Sequence, residues 1–141
     1  MTDFTGVKIA LITPNQQLVV IRRDDKPSIK YPNLWDLPGG GKENKETPFE
    51  CIKREVTEEL AIDIRQENVI FSKSYPALAK PHHLTYFMAA NISDKDLASI
   101  ILGDEGQEWK LMGVDEYIKH PEGIKPLQAR LRDFWEIFST K

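Results

Sequence analysis

Three glutamates at helical spacing are the clearest sign of chemistry in this chain. Glu55, Glu58 and Glu59 are separated by three and four positions, so an α-helix would carry them on one face. Like charges at this spacing repel one another and destabilise the helix. A bound cation removes that repulsion, and clustered carboxylate oxygens suit Mg²⁺ or Mn²⁺. The spacing therefore favours a divalent metal site over a solvated acidic face.

The residues before and between the glutamates predict the helix that must position them. Thr47, Pro48 and Glu50 have the types and order of an N-cap, a first helical residue and a capping-box partner. Arg54 lies one turn after Glu50 and one turn before Glu58, where it can pair with carboxylates and hold them in place. One apolar arc of this helix holds Phe49, Ile52, Val56 and Leu60. We therefore expect a packed helix whose acidic arc lies beside its buried one.

The remaining pattern alternates strands and helices with short connections. Strands are predicted at Val7–Thr13, Leu18–Arg22, Leu34–Leu37, Val69–Tyr75, Leu84–Ile92 and Trp109–Met112. Helices are predicted at Val114–Lys119 and Lys125–Phe138. A glycine turn, Pro38–Gly41, precedes the acidic helix, and glycine lets the backbone approach a ligand closely. The pattern predicts an α/β fold, an α/β/α sandwich with a mixed sheet, as a single domain over residues 1–141.

Composition restricts the classes of protein to which the chain can belong. It has 141 residues and a net charge of −3, which argues against a nucleic-acid partner. It contains no apolar run of about 18 residues and no basic, apolar start, so we expect no membrane partner and a cytoplasmic location. The single cysteine, Cys51, fits a reducing compartment, and we interpret it as a packing residue rather than a nucleophile.

The stretch from Gly40 to Ile62 resembles the signature of the Nudix hydrolases. That signature is a glycine, five residues, a glutamate, seven residues, and then Arg-Glu-apolar-x-Glu-Glu-x-Gly-apolar. The matching positions are Gly40, Glu46, Arg54, Glu55, Val56, Glu58, Glu59 and Ile62. Ala61 stands where the family has its last glycine. Either the helix ends here in a left-handed turn, at a cost of roughly 1–2 kcal/mol for alanine, or it ends differently.

The resemblance implies roles for the residues of this stretch. Glu55, Glu58 and Glu59 would ligate the metal, with the carbonyl oxygen of Gly39 as a further ligand. Glu46 and Arg54 would orient these ligands. Gly40 and Gly41 would let the backbone come close to the substrate.

Two further stretches resemble the MutT-like branch of the family. Gly103–Trp109 is locally only a polar turn, but it is similar to a Glu-Gly-Gln loop whose glutamate reaches the metal site from across the cleft. On that match Glu105 is a fourth carboxylate, either a ligand or the general base, with Asp104 and Glu108 as competitors. Arg22 and Arg23 match a paired arginine, and Arg23 is our candidate for a phosphate contact; a solvated strand end is the alternative.

The resemblance implies hydrolysis of a nucleoside diphosphate linked to another group, with a small-molecule nucleotide as substrate. A (d)NTP or modified nucleotide, cleaved to NMP and pyrophosphate, is the preferred reading. The alternatives are an ADP-ribose or nucleotide-sugar pyrophosphatase, an RNA 5′-end pyrophosphohydrolase, and a non-catalytic nucleotide sensor. The stretch 120–126 lacks the asparagine with which guanine-specific relatives read the purine. Many relatives are homodimers, although no feature of this chain singles out an interface.

Some assignments stay open at the level of sequence. The general base is either a helix glutamate or Glu105, since relatives differ on this point. A base could stack on an aromatic side chain, but we favour a place in the core or the cleft wall for each of the four candidates: Trp35, Tyr86, Phe87 and Trp109.

Overall fold

In the computed structural model, which describes residues 3–77 and 82–139, a seven-stranded mixed sheet is flanked by helices. The strands are β1 (Phe4–Ile12), β2 (Gln17–Arg22), β3 (Trp35–Asp36), β4 (Gly39–Gly41), β5 (Val69–Pro76), β6 (Leu84–Asn91) and β7 (Glu108–Gly113). The helices are α1 (Pro48–Leu60), α2 (Asp94–Ala98), α3 (Val114–Lys119) and α4 (Lys125–Ser139), with a 3₁₀ helix at Gln66–Asn68.

Strand β1 holds the sheet together because it pairs with three other strands. The main strand order is β3-β2-β1-β6-β5, with β4 paired to β1 and β7 paired to β2. β1 and β6 run parallel, and the other pairs are antiparallel. The first two strands form an antiparallel hairpin. The mixed sheet predicted from sequence is therefore confirmed.

The two faces of the sheet carry separate apolar cores because side chains alternate along each strand. On one face Ile9, Leu11 and Val19 pack with Ile52 and Val56 of α1. On the opposite face the core joins β1, β2 and β6 to α3 and α4 through Ala10, Leu18, Phe87, Tyr117 and Phe134. Helices on both faces confirm the α/β/α sandwich.

The glycine segment before α1 is more regular than the sequence suggests. We predicted Pro38–Gly41 as a turn, but Gly39–Gly41 is a short strand paired antiparallel with Gly6–Lys8 of β1. Helix α2 and the 3₁₀ helix are also absent from the elements predicted above. A run of glycines has no side-chain pattern, so only its pairing with a distant strand reveals its conformation.

The end of α1 follows the first of the two alternatives left open by Ala61. Ala61 adopts a left-handed conformation, with φ 58° and ψ 30°, and its N–H donates to the carbonyl of Thr57. The alanine thus takes the backbone conformation for which glycine is the usual residue.

Candidate active site

Helix α1 is fixed at its start by the capping box that the sequence predicts. The Thr47 hydroxyl accepts a hydrogen bond from the Glu50 amide at 3.2 Å, and the Glu50 carboxylate accepts from the Thr47 amide at 2.8 Å. Cys51, Ile52, Val56 and Leu60 are fully buried against the sheet. Burying this arc turns the adjacent acidic arc towards the cleft beside β4.

Arg54 gathers the acidic groups around one guanidinium. Its Nε donates to Glu46 at 2.7 Å, its Nη1 to Glu55 at 2.9 Å, and its Nη2 to the carbonyl of Gly41 at 2.9 Å. Glu58 accepts a longer bond from Nη1, at 3.3 Å. The hydrogen bond from Arg54 lowers the pKa of Glu46, and Glu46 in turn raises the pKa of the guanidinium far above its usual range. Arg54 is thus placed to orient both Glu46 and Glu55.

Glu59 occupies a different environment from its two neighbours on the helix. Its carboxylate accepts a hydrogen bond of 2.7 Å from the Gly39 amide. Burial raises the pKa of Glu59 to about 7, while the nearby Lys8 charge opposes the shift. Burial thus brings the pKa of the Glu59 carboxyl close to neutrality.

At two positions of β4 a side chain would disturb the site. Gly39 has φ +132°, and a Cβ there would collide with the carbonyl oxygen of Val7. A Cβ on Gly40 would collide with the carboxylate of Glu55. Gly41 is exposed and has more room, and its carbonyl binds Arg54. Gly40 thus leaves open the space beside Glu55 that a side chain would fill.

The loop carrying Glu105 is docked between α1 and the end of β2. The Gly103 amide donates to the carbonyl of Glu59 at 2.9 Å. The Gln107 amide donates to the carbonyl of Arg22, and the Gln107 side chain donates to the carbonyl of Arg23, both at 2.8 Å. These bonds bring Glu105 to the cleft opposite the acidic helix. Asp104 lines the same cleft, whereas Glu108 begins strand β7 and lines neither cavity described below.

Two adjoining cavities form the cleft, and Glu59 and Glu105 line both of them. The larger, of about 410 Å³, is acidic and is lined by Glu43, Glu55, Glu58, Glu59, Asp104 and Glu105. The smaller, of about 220 Å³, is lined by Ile21, Arg23, Asp24, Lys26, Ile29, Asp36, Leu37, Glu59, Glu105 and Gly106. An acidic compartment thus adjoins one of mixed charge and aliphatic surface.

The two arginines at the end of β2 point to different places. Arg23 lines the smaller cavity, where it donates to Asp36 at 3.0 Å and to the carbonyl of Lys30 at 2.8 Å. Arg22 instead donates to Asn33 at 2.9 Å and to Glu122 at 3.1 Å. Its guanidinium also lies 5.2 Å from the centre of the Trp35 ring. Of the pair, only Arg23 lines the cleft.

Several charged residues in or beside the cleft, among them Lys8, Asp36 and Glu43, were not singled out from sequence. Asp36 is buried and joins Arg23 to Lys8, whose amino group lies 2.9 Å from the same carboxylate oxygen. Glu43 lines the acidic cavity. The available signal for Lys8 is a lone charge within the apolar run of β1. Asp36 and Glu43 have no comparable signal, because only the fold brings them to the cleft.

The aromatic residues considered for base stacking lie elsewhere. Trp35 and Phe87 are buried in the core beside α3 and α4. Tyr86 packs edge-on against Phe4, and Trp109 packs against the core on the α1 side. Among residues 3–77 and 82–139, no aromatic side chain lines either cavity. The described walls of the cleft thus offer aliphatic and charged surface instead of a stacking ring.

The donor set of the acidic cavity fits a hard divalent cation in its chemistry. Carboxylate and carbonyl oxygens are the ligands of Mg²⁺ and Mn²⁺, and the open space at Gly40 leaves Glu55 accessible from the cleft. Within the described ranges, no three His, Cys, Asp or Glu side chains converge on one point as they are placed. Glu55 and Glu58 contact Arg54 and Glu59 contacts Gly39, so cation binding by all three requires their carboxylates to reorient.

Comparison with known proteins agrees with this geometry. The model of the NUDIX domain matches residues 3–134. A MutT protein from Methanosarcina mazei Go1 superposes with a TM-score of 0.75 at 17% identity, over 96% of each chain. A binary complex of a C. elegans Ap4A hydrolase gives 0.72 at 17% identity, over 96% of this chain and 99% of that one.

A third neighbour is a bifunctional NMN adenylyltransferase/ADP ribose pyrophosphatase from Francisella tularensis, complexed with AMP and a Mn ion. Its TM-score is 0.72 at 23% identity, over 95% of this chain and 42% of that one. The chain belongs to the NUDIX domain family. It is an enzyme of the Nudix hydrolase class, which acts on phosphorus anhydrides in small-molecule nucleotides with the help of divalent metals. The family resemblance drawn from the sequence is confirmed.

No helix in the described part of the chain combines the length and apolar character needed to cross a bilayer.

Proposed function

We propose that the chain is a metal-dependent pyrophosphohydrolase that cleaves a (d)NTP or a modified nucleotide to NMP and pyrophosphate. The observation that carries this proposal is the pair of adjoining cavities that share Glu59 and Glu105. The acidic cavity would hold the phosphates through Mg²⁺ or Mn²⁺. The smaller cavity would hold the part of the substrate beyond the cleaved bond. A bond held between the two would lie beside both shared carboxylates.

The proposed ligands are Glu55, Glu58, Glu59 and the carbonyl of Gly39, with Glu105 reaching in from the opposite wall. A bound divalent ion neutralises phosphate oxygens and lowers the pKa of water. Arg54 and Glu46 would hold Glu55 in place, and Arg23 would contact an anionic group of the substrate.

The general base is proposed to be Glu59 or Glu105, the two carboxylates that line both cavities. Glu59 lies where the two cavities meet, within reach of water held beside the substrate. Glu105 is exposed on the opposite wall, so its carboxylate can contact water in the cleft without a movement of the loop. Each would take a proton from the attacking water.

A second candidate substrate class is ADP-ribose or a nucleotide sugar. No described aromatic ring lines the smaller cavity, whereas the carboxylates of Asp24 and Asp36 do. Carboxylates accept hydrogen bonds from hydroxyl groups, so these walls suit a sugar as well as a base. This candidate uses the same carboxylates and the same reaction at a different anhydride.

The first test is hydrolysis of a nucleotide panel with Mg²⁺ at slightly alkaline pH. The panel contains normal and oxidised dNTPs, ADP-ribose, nucleotide sugars and dinucleoside polyphosphates. We expect one class to stand well above the rest, and its activity to be lost in EDTA. Glu58→Gln should lose roughly 10³-fold or more, because the charge stabilisation supplied by a bound metal ion amounts to several kcal/mol. Glu67→Gln, in a surface ion pair with Arg65, is the matched control and should retain full activity.

Some results of these measurements would contradict the proposal. Unchanged turnover in Glu58→Gln would reject the assigned ligands. Nucleotide binding with no hydrolysis would favour a sensor, and preference for a triphosphorylated RNA end with strong salt dependence would favour the RNA alternative.

A further inference from the structure

Lys8 is a charged residue in the otherwise apolar middle of β1. Its amino group lies at the floor of the cleft and has an acceptor for each of its donors. Its side chain is only 23% exposed. The amino group donates to Asp36 at 2.9 Å, to the carbonyl of Leu37 at 3.2 Å and to the carbonyl of Gly39 at 3.1 Å. An ammonium group has three donors, so each of them meets an oxygen.

The third acceptor is the carbonyl that we assign to the divalent cation. A carbonyl oxygen has two lone pairs, so an ion and the ammonium group can share it, but both partners are positive. We propose that Lys8 is a resident counter-charge whose ammonium group lowers the affinity of the free site for a divalent cation. This inference rests on the proposed function, because it assumes that the cation binds at Gly39.

Cation binding should depend more on the charge of Lys8 than on the hydrogen bond from Lys8 to the Gly39 carbonyl. The backbone of Gly39 is held by strand pairing with β1 and by the Gly39 amide, which donates to Glu59 at 2.7 Å. The adjacent Pro38 carbonyl accepts from the Ile9 amide at 2.9 Å. None of these bonds involves the Lys8 side chain. The carbonyl therefore keeps its place when the amino group is removed.

The buried carboxylate of Asp36 also keeps partners without Lys8. It accepts from Arg23 at 3.0 Å and from the Leu37 amide at 2.7 Å. Loss of the ammonium group therefore does not leave a buried charge unpaired, which is the usual reason for severe destabilisation. Removal of Lys8 changes mainly the electric field at the Gly39 carbonyl and at Glu59, whose pKa the Lys8 charge lowers. The variants are therefore compared at alkaline pH, where Glu59 is ionised with or without Lys8.

The test is calorimetric titration of the whole chain with Mn²⁺ alone, without nucleotide. Lys8→Gln keeps a hydrogen-bond donor and removes the charge, whereas Lys8→Arg keeps the charge. Lys73→Gln is the matched control, because it removes the same charge from β5, where Lys73 forms an ion pair with Asp133 of α4. We expect Lys8→Gln to bind Mn²⁺ about tenfold more tightly than the wild type, because a unit charge is removed beside a divalent ion. Lys8→Arg and Lys73→Gln should bind as the wild type does.

Equal or weaker Mn²⁺ binding by Lys8→Gln would overturn the inference. A Glu58→Gln variant separates this failure from failure of the proposed function. If wild-type binding is unaffected by Glu58→Gln, the cation site itself is misassigned. If Glu58→Gln weakens binding and Lys8→Gln does not strengthen it, only the role of Lys8 is rejected. Should Lys8→Gln fail to fold, Lys8→Met takes its place with the same expected gain.

Discussion

Glu59 gives the metal-free protein a stability that depends on pH in a defined direction. Its folded-state pKa is raised from 4.5 to about 7 by burial, so the native state binds more protons than the unfolded chain between these values. The contribution of Glu59 to the free energy of unfolding therefore falls as pH rises from about 5 to about 7, and is constant above that range. The whole effect is about 3 kcal/mol at most.

The prediction is checked by urea unfolding in EDTA at several pH values from 5 to 8. Glu59→Gln should remove this fall, because an amide does not titrate, and should gain stability over the wild type at pH 8. Glu67→Gln, on the surface, should follow the wild-type curve. A parallel pH dependence of Glu59→Gln and the wild type would show that burial does not raise this pKa.

Arg54 should not be replaceable by lysine, although both are cations. Its guanidinium contacts Glu46, Glu55 and the carbonyl of Gly41 through separate nitrogens, and a lysine offers a point charge without this planar fork. We expect Arg54→Lys to lower Mg²⁺-dependent turnover by about 10- to 100-fold. The circular dichroism spectrum should stay that of a folded chain. Turnover within about twofold of the wild type would mean that the geometry of the guanidinium is unimportant.

At the scale of single elements, the end of α1 contains a strained alanine that glycine should relieve. Ala61 has φ 58°, a region that costs an L-residue roughly 1–2 kcal/mol, while glycine adds entropy to the unfolded chain. We expect Ala61→Gly to raise the free energy of unfolding by about 1 kcal/mol. The control is Ala129→Gly, at an exposed position inside α4, which should lower it by about 1 kcal/mol. Loss of stability in Ala61→Gly, measured by urea unfolding, would contradict this account.

Elements with a local signal were predictable from the sequence, and those without one were not. The start of α1 followed from Thr47 and Glu50, and α3 has the predicted bounds, Val114–Lys119. Helix α2 has only five residues, too few for an apolar period to be visible, although Ser93 and Asp96 cap it. Strand β4 depends on pairing with β1, some thirty residues earlier. The extended conformation of β4 depends on its register with β1, which cannot be read from the local sequence.

The same distinction applies to the candidate site at the scale of the molecule. The acidic residues of α1 could be grouped from spacing alone, because helical geometry relates neighbours in sequence. Their proximity to Lys8 and Asp36 could not be predicted. Lys8 and Asp36 are 28 positions apart in sequence and meet only because the sheet brings them together. The different orientations of Arg22 and Arg23 follow from strand alternation, but which one faces the cleft depends on the register of β2.

The pairing of β1 with β6 has a consequence for the order in which the protein can assemble. Phe4 lies opposite Leu84 in this parallel pair, so the contact must close a loop of about eighty residues, and long closures are slow. The hairpin, the glycine strand and α1 all lie within the first sixty residues and can meet on a growing chain. The wall that carries Glu105 is made much later. The residues of the acidic wall are therefore synthesised before those of the opposite wall, and the cleft can be completed only after the loop carrying Glu105 has been made.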